Sequence, residues 1–448
     1  MTEEAAGLAP LLIAWVGLAG VLMLFSWRRS ALRAGLVFAY VAHFAVLHWF
    51  GALVHALPSS PFVDSSNTLA GFEESTSGFA SFVVGSIFTA LILPVQGGKR
   101  VTPAQTDLTA ARQLAWAFLV TGIAFWPVSF SIVSLLPSIS AVISMGKQMT
   151  LVGICLHCWL AWQVQDRTKL RLWLLSAGIF PLITVVFSGF LGYGVAALIM
   201  TCAFIAAFYR PRWRVLALGM AGVYLGLSLF VTYAATRTDI RESVWGGQDL
   251  ENRVDTVTRS LQTFQLFDLR NKEHLRAIDW RLNQNELVGA AVAFTPLHQD
   301  FARGETLYQA VIALVPRILW PDKPAVAGSG NLVTTYTGVG FALGTSVGIG
   351  QVMEFYVNFG RTGVIVGFFM FGLMVTWLDR KASTCLHAHD WYGFAFWFLI
   401  GIATLQVGGS LVEVTSSMAA AGVAAWAVNV WLRRRARTGR RRPQLAVG

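Results

Sequence analysis

The feature that most constrains this chain is a series of apolar runs, each roughly 17–24 residues long, separated by short polar connections. A helix rises about 1.5 Å per residue, so about 20 such residues cross the ~30 Å hydrocarbon core of a bilayer. Backbone amides in lipid must bond within their own segment, which helices achieve. The runs fall near 7–25, 34–57, 78–95, 114–136, 148–164, 172–187, 194–209, 215–234, 362–378, 391–409 and 417–432, predicting about eleven transmembrane helices. Charged residues are only 13% of the 448, about half of what a soluble domain carries. The expected fold class is an all-α multi-pass membrane protein.

Two stretches need punctuation. Residues 172–209 are too long for one crossing, and Ser188-Gly189-Phe190-Leu191-Gly192-Tyr193-Gly194 is the turn that splits them. Pro137 to Gly146 is expected to dip back into the membrane before the fifth helix, covered by protein or a wet cavity.

Charge gives an independent test. Alternate connections carry Arg28/Arg29/Arg33, Lys99/Arg100/Arg112, Arg167/Lys169/Arg171, Arg210/Arg212/Arg214 and Arg380/Lys381, and the tail adds Arg433, Arg434, Arg435, Arg437, Arg440, Arg441 and Arg442. The opposite short loops hold acids or nothing, with Asp64, Glu73 and Glu74 in one and Glu413 in another; Lys147 is the exception. The positive-inside rule then puts the N-terminus outside and the C-terminus in the cytoplasm. Glu3 and Glu4 precede the first apolar run and its arginines follow it, the reverse of a signal peptide. The net charge of +11 is thereby assigned to topology and anionic lipid rather than to nucleic acid.

This topology divides the chain into helices 1–8 over residues 1–234, one large outer loop over 235–351, helices 9–11 over 352–432 and a basic cytoplasmic tail over 433–448. Loops beyond about 15 residues are uncommon unless functional. The large loop has eleven basic and twelve acidic residues. Leu250, Val254, Val257, Leu261 and Phe264 recur at helical spacing, and Leu275, Ile278 and Leu282 suggest a second amphipathic helix. Ala290–Phe294 and Leu307–Leu314 are expected to dip toward the membrane.

The loop closes on Val315-Pro316-Arg317-Ile318-Leu319-Trp320-Pro321-Asp322-Lys323-Pro324, where prolines fix φ and remove backbone donors. Such a stiff turn holds Arg317, Trp320, Asp322 and Lys323 in set directions at the membrane boundary. Arg281, within Asp279-Trp280-Arg281-Leu282-Asn283-Gln284-Asn285, and Arg361 at the loop's exit join them. Guanidinium forks suit phosphate oxygens and a lysine adds a point charge, so Arg317, Lys323, Arg281 and Arg361 read as a site for a lipid-linked phosphate or diphosphate. The competing reading pairs Arg317 with Asp322 or Glu354 and lets Lys323 snorkel to headgroups. Arg253, Arg259 and Arg270 are expected on solvated helix faces. His298 and Glu354 are the candidates to take a proton from an attacking hydroxyl. Their alternatives are a surface histidine, and a glutamate paired with Arg361 or Lys147.

Other chemistries lack their residues. The chain has no Asp-x-Asp pair for a metal diphosphate, no Walker-type glycine loop and no His-Glu-x-x-His helix. Ser346 and Ser329 lack a nucleophile-elbow context. Cys155, Cys158 and Cys202 read as inert thiols on apolar helices, and Cys385 sits with His387 and His389 in a short loop that is a weak metal candidate. No metal and no cofactor is expected. His43, His48 and His55 lie in the second helix, with His48 and His55 on one face; a proton path is an alternative that no acidic relay accompanies.

With these residues laid out, the chain resembles the oligosaccharide repeat-unit polymerases, the Wzy-type O-antigen and exopolysaccharide polymerases of bacterial envelopes. The likeness rests on Pro316-Arg317-x-x-Trp320-Pro321-Asp322-Lys323-Pro324 after Gly304-Glu305-Thr306, and on Thr345-Ser346, Gly350 and Glu354-x-Tyr356-x-Asn358-Phe359-Gly360, covering about 275–375. The resemblance implies a glycosyltransferase-C-like helical architecture akin to O-antigen ligases. It further implies a place in the bacterial cytoplasmic membrane and an undecaprenyl-diphosphate-linked oligosaccharide donor, with membrane lipids, a chain-length regulator and a flippase of the same pathway as partners. The expected reaction is metal-independent: an incoming hydroxyl attacks the anomeric carbon while the basic groups stabilise the leaving diphosphate, and Trp320 and Trp280 offer faces for sugar stacking. Alternatives are an O-antigen ligase, a lipid or polysaccharide transporter, and a non-catalytic scaffold. One departure stands out: family members often carry an arginine in the turn before the helix equivalent to 194–209, and Ser188 to Gly194 has none.

Overall fold

A computed structural model describes residues 3–28, 33–93, 108–128, 137–209, 213–315, 320, 322, 328–341 and 347–440. Among these the chain is all helix, without a strand. The helices are α1 (Glu3–Arg28), α2 (Leu36–Phe44), α3 (Phe50–Ala56), α4 (Ser66–Ile92), α5 (Leu108–Val128), α6 (Pro137–Lys147), α7 (Met149–Gln163), α8 (Arg167–Ala177), α9 (Phe180–Ser188) and α10 (Leu191–Phe208). They continue as α11 (Trp213–Trp245), α12 (Leu250–Gln262), α13 (Lys272–Leu282), α14 (Asn285–Phe294), α15 (Glu305–Ala313), α16 (Ser329–Thr337), α17 (Gln351–His387), α18 (Trp391–Ala403) and α19 (Leu411–Arg440). Ten helical stretches of the described residues are long and apolar enough to cross a bilayer, so this is a multi-pass integral membrane protein.

Most expected spans are present, and the differences have local causes. A π-helical turn, Ala45–Trp49, joins α2 to α3 within the second span. α4 begins at Ser66, so Glu73 and Glu74 lie within a helix rather than in a short loop. Pro137–Lys147 does not dip back: it is α6, and it runs into α7 as one span from Ile139 to Gln163. The split of 172–209 falls at Gly189, whose φ of 73° ends α9. α11 continues past 234 to Trp245, because nothing breaks the helix before Gly246-Gly247. Cys385 belongs to α17, not to a loop. The expected tenth span, 391–409, is helical for only 13 residues in α18, after which Thr404–Ser410 continues as largely buried non-helical backbone. Protein cover makes that tolerable at membrane depth.

α4 is the axis of the bundle. The Trp15 ring of α1 stacks on Phe79 at 4.1 Å. On another side α17 approaches so closely that a Cβ on Gly372 would lie 2.4 Å from the Phe82 carbonyl oxygen, and one on Gly85 would lie 2.3 Å from that of Phe369. Without a hydrophobic drive between helices in lipid, such small-residue contact is what lets backbones pack.

Of the large loop, α12 and α13 match the two amphipathic patterns. α14 and α15 occupy the stretches expected to turn inward: α14 lies against α4, and α15 against α19.

Candidate functional site

The loop face is organised where α15, α17 and α19 meet. Gly304 precedes α15 with φ of 95°. Its N–H donates to the Asn358 Oδ1 at 2.8 Å, while the Asn358 Nδ2 donates to the Thr306 hydroxyl at 2.7 Å and to the Glu354 carbonyl at 2.7 Å. The Ala302 N–H donates to the Val357 carbonyl at 2.8 Å, closing the same seam. Thus Gly304-Glu305-Thr306 and Glu354–Asn358 form one unit. On its flank the Tyr336 phenol of α16 is raised above its usual pKa by burial, with the nearby Glu305 carboxylate adding to it.

Glu354 is fully buried. Its Oε2 accepts the Leu411 N–H at 2.6 Å, its carboxylate also meets Thr306, and its Oε1 has no hydrogen-bond partner among the described residues. The adjacent start of α19 is a capping box: the Ser410 N–H donates to Glu413 Oε2 at 3.1 Å and the Glu413 N–H to the Ser410 hydroxyl at 3.2 Å. Ser329 of α16 donates to the other Glu413 oxygen at 3.1 Å. Glu354 therefore ties α17 to α15 and α19, and among the described residues it forms an ion pair with neither Arg361 nor Lys147.

Above Asn358, α17 breaks. Phe359 (φ −143°, ψ 23°) and Gly360 (φ 62°, ψ −154°) leave helical geometry, and the next residue, Arg361, turns onto α4. Its Nε lies 2.7 Å from Glu74 Oε1 and its Nη2 lies 3.6 Å from Glu73 Oε2. The Glu74 side chain is only 4% exposed, whereas those of Arg361 and Glu73 are 55% and 49% exposed. Glu74 Oε2 is left without a partner, and the Tyr356 hydroxyl belongs to the same electrostatic group. Sequence reasoning missed Glu73 and Glu74 because the hydropathy window starts at 78. The signal was there: Thr68, Phe72, Ser75, Phe79 and Phe82, all buried, recur at helical spacing and carry α4 back through the acids.

A second group gathers on Asp279–Asn285. Asn285 is fully buried; its Oδ1 lies 2.8 Å from His48 Nδ1 and accepts the Ser75 hydroxyl at 3.1 Å, and its Nδ2 donates to the His48 carbonyl at 2.7 Å and to Asn283 Oδ1 at 3.0 Å. Asn283 Nδ2 in turn donates to Asp279 Oδ1 at 2.7 Å, which lies 2.8 Å from His55 Nε2. The histidines of the second span thus hold this segment down along one line of polar contacts. At its start Trp280 is 80% exposed, with the Arg281 guanidinium 6.0 Å from its ring. Nearby, the turn that lacks an arginine of its own meets one from α11: the Arg241 guanidinium lies 4.6 Å from the Phe190 ring and 4.8 Å from Trp245. Tyr233 donates to the Gly189 carbonyl at 2.7 Å, and its hydroxyl is shared electrostatically by Arg241 and Arg281.

Of the expected site residues, Arg317 and Lys323 lie outside the described residues. Trp320 is 39% exposed. His298 is an exposed residue after α14, with its ring 5.0 Å from Phe294. Arg281 and Arg361 belong to separate groups, the first with Tyr233 and Trp280, the second with Glu73 and Glu74. Among the described residues no three His, Cys, Asp or Glu side chains converge as metal ligands would.

The model of the family described as Domain of unknown function (DUF8712) matches residues 78–399. No curated protein and no solved structure matches the chain.

Proposed function

Since the chain belongs to the DUF8712 family, whose description names no activity, we propose a function from its own residues: polymerisation of undecaprenyl-diphosphate-linked oligosaccharide repeat units on the outer face of a bacterial cytoplasmic membrane. The observation that carries the reading is the seam at Asn358, which joins Gly304–Thr306 to Glu354–Asn358, two of the stretches on which the resemblance to repeat-unit polymerases rests beside the Pro316–Pro324 turn.

In the proposed reaction the growing glycan is held by its lipid diphosphate against Arg317 and Lys323, with Arg281 and Arg361 as further cations. A hydroxyl of the incoming unit attacks the anomeric carbon, the bond to the diphosphate breaks, and the electron pair leaves on a phosphate oxygen. Positive charge preorganised at that oxygen lowers the barrier without a metal. The hydroxyl proton passes to an accessible base. His298 is exposed and Glu73 is half exposed beside Arg361, whereas Glu354 is sealed beneath α15 and α19, which favours either of the first two over it. Exposed Trp280 and Trp320 are the aromatic faces for sugar rings.

The test is incubation of the purified protein with a lipid-diphosphate oligosaccharide, with and without chelator. A ladder of products is expected in both, and its loss in Arg317→Ala. Wild-type chain lengths from Arg317→Ala refute the role of that residue; an unpolymerised substrate with wild-type protein refutes the function and favours a transporter or scaffold. Transfer of a single block to a second acceptor, without laddering, identifies a ligase.

A further inference from the structure

Between α11 and the non-helical segment that follows α12 lies a groove of about 580 Å³. Its walls include Met220, Val223 and Leu227 from α11 and Leu266 from the segment, and its lining ends in Asp268 and Arg270. The segment is pinned to the helix by side chains: the Phe267 N–H donates to the Ser228 hydroxyl at 3.0 Å, and Tyr224 donates to the Phe267 carbonyl at 3.0 Å. The Ser59 hydroxyl, just past the loop-face end of the second span, donates to the Leu269 carbonyl at 2.7 Å. That fixes the depth of the polar end at the membrane boundary. Met220 lies eight residues before Ser228 on α11, so the apolar walls run about 12 Å deeper along a span.

The groove faces lipid rather than water. Met220 is 69% exposed, Val223 53% and Leu266 57%, on or against a helix apolar enough to cross the bilayer. Its polar end carries one cation and one anion two positions apart, Asp268 fixed by accepting the Arg270 N–H at 2.8 Å. A guanidinium recognises a phosphate, and a carboxylate recognises a primary ammonium. The same headgroup presents both in a zwitterionic phospholipid, while an anionic lipid would meet the carboxylate with nothing to offer it.

We propose that this groove binds a phosphatidylethanolamine molecule, one acyl chain lying along α11 from Leu227 to Met220, with the phosphate at Arg270 and the ammonium at Asp268. This does not rest on the proposed polymerase activity. The slot holds on the order of twenty water volumes, ample for a chain and part of a headgroup.

The experiment is native mass spectrometry of the full-length, delipidated protein in detergent, titrated separately with phosphatidylethanolamine, phosphatidylglycerol and a polyprenyl monophosphate. One phosphatidylethanolamine per chain is expected, held about tenfold more tightly than phosphatidylglycerol. Arg270→Gln and Asp268→Asn each weaken it by about tenfold. Val223→Trp, which fills the groove from a lipid-facing position, removes it, with lipid-free melting of all three variants unchanged. Equal retention of the two phospholipids, retention unaffected by Val223→Trp, displacement by the polyprenyl phosphate, or no retained lipid at all each overturns the proposal.

Discussion

The Asn358 carboxamide bridges stretches 54 positions apart, its oxygen accepting the Gly304 N–H at 2.8 Å while its nitrogen donates to Thr306 at 2.7 Å. Asn358 and Thr306 are buried, so truncation removes bonds that water cannot readily replace at Thr306. Asn358→Ala is expected to lower stability in detergent by about 1–3 kcal/mol and to shorten or abolish the product ladder. Unfolding followed by tryptophan fluorescence, beside the ladder assay, checks both.

Arg361 and Glu74 form the ion pair that seats the broken helix on α4. Arg361→Ala leaves Glu74 nearly buried and uncompensated; since the guanidinium is half exposed, the expected loss is about 1–2 kcal/mol rather than the value for a sealed pair. Adding Glu74→Gln to Arg361→Ala should recover part of it. A double-mutant cycle that finds the two changes strictly additive removes the pair from the account.

Gly360 holds φ 62° and ψ −154°, a region that side chains shun. Gly360→Ala should cost about 1–3 kcal/mol and, by straightening α17, withdraw Arg361 from the acids. The Arg361–Glu74 coupling energy gives the readout: a double-mutant cycle on that pair should show coupling in the wild-type background and lose it with alanine at 360.

The polar line from His48 through Asn285 and Asn283 to Asp279 and His55 is expected to behave as a unit. Asn285→Ala strands partners on both its oxygen and its nitrogen, at about 1–3 kcal/mol for each buried group left unpaired. The double variant Asn285→Ala/His48→Ala should lose less than the sum of the singles, measured by chemical unfolding; full additivity counts against a shared network.

Much of this architecture is readable from the chain, and the exceptions have reasons. Apolar runs announce spans because lipid admits little else, and Gly189 and Gly246-Gly247 stop helices where their backbone freedom predicts. Hydropathy is blind to polar turns inside a long helix, so Glu73 and Glu74 are taken for a loop although Phe72 and Ser75 continue the buried face of α4. It is equally blind to the short α18, where a buried backbone turn completes the apolar run. The π-helical turn at Ala45–Trp49 leaves no mark in spacing. At the site, single residues such as Glu354 are picked out by chemistry, but their partners come from positions far along the chain, which spacing does not disclose. The proline-rich stretch with Arg317 and Lys323 lies outside the described residues.

One turn of α4 receives both groups. Glu74 holds Arg361, and three residues earlier Gly71 passes so near the Asn285 carbonyl that a Cβ there would lie 2.0 Å from its oxygen. The broken end of α17 and the Asn285 line are thereby mounted on a common strut, and neither can travel without carrying the other. Any rearrangement of the loop face must come from parts anchored elsewhere, such as α12, which packs on α9 and α11.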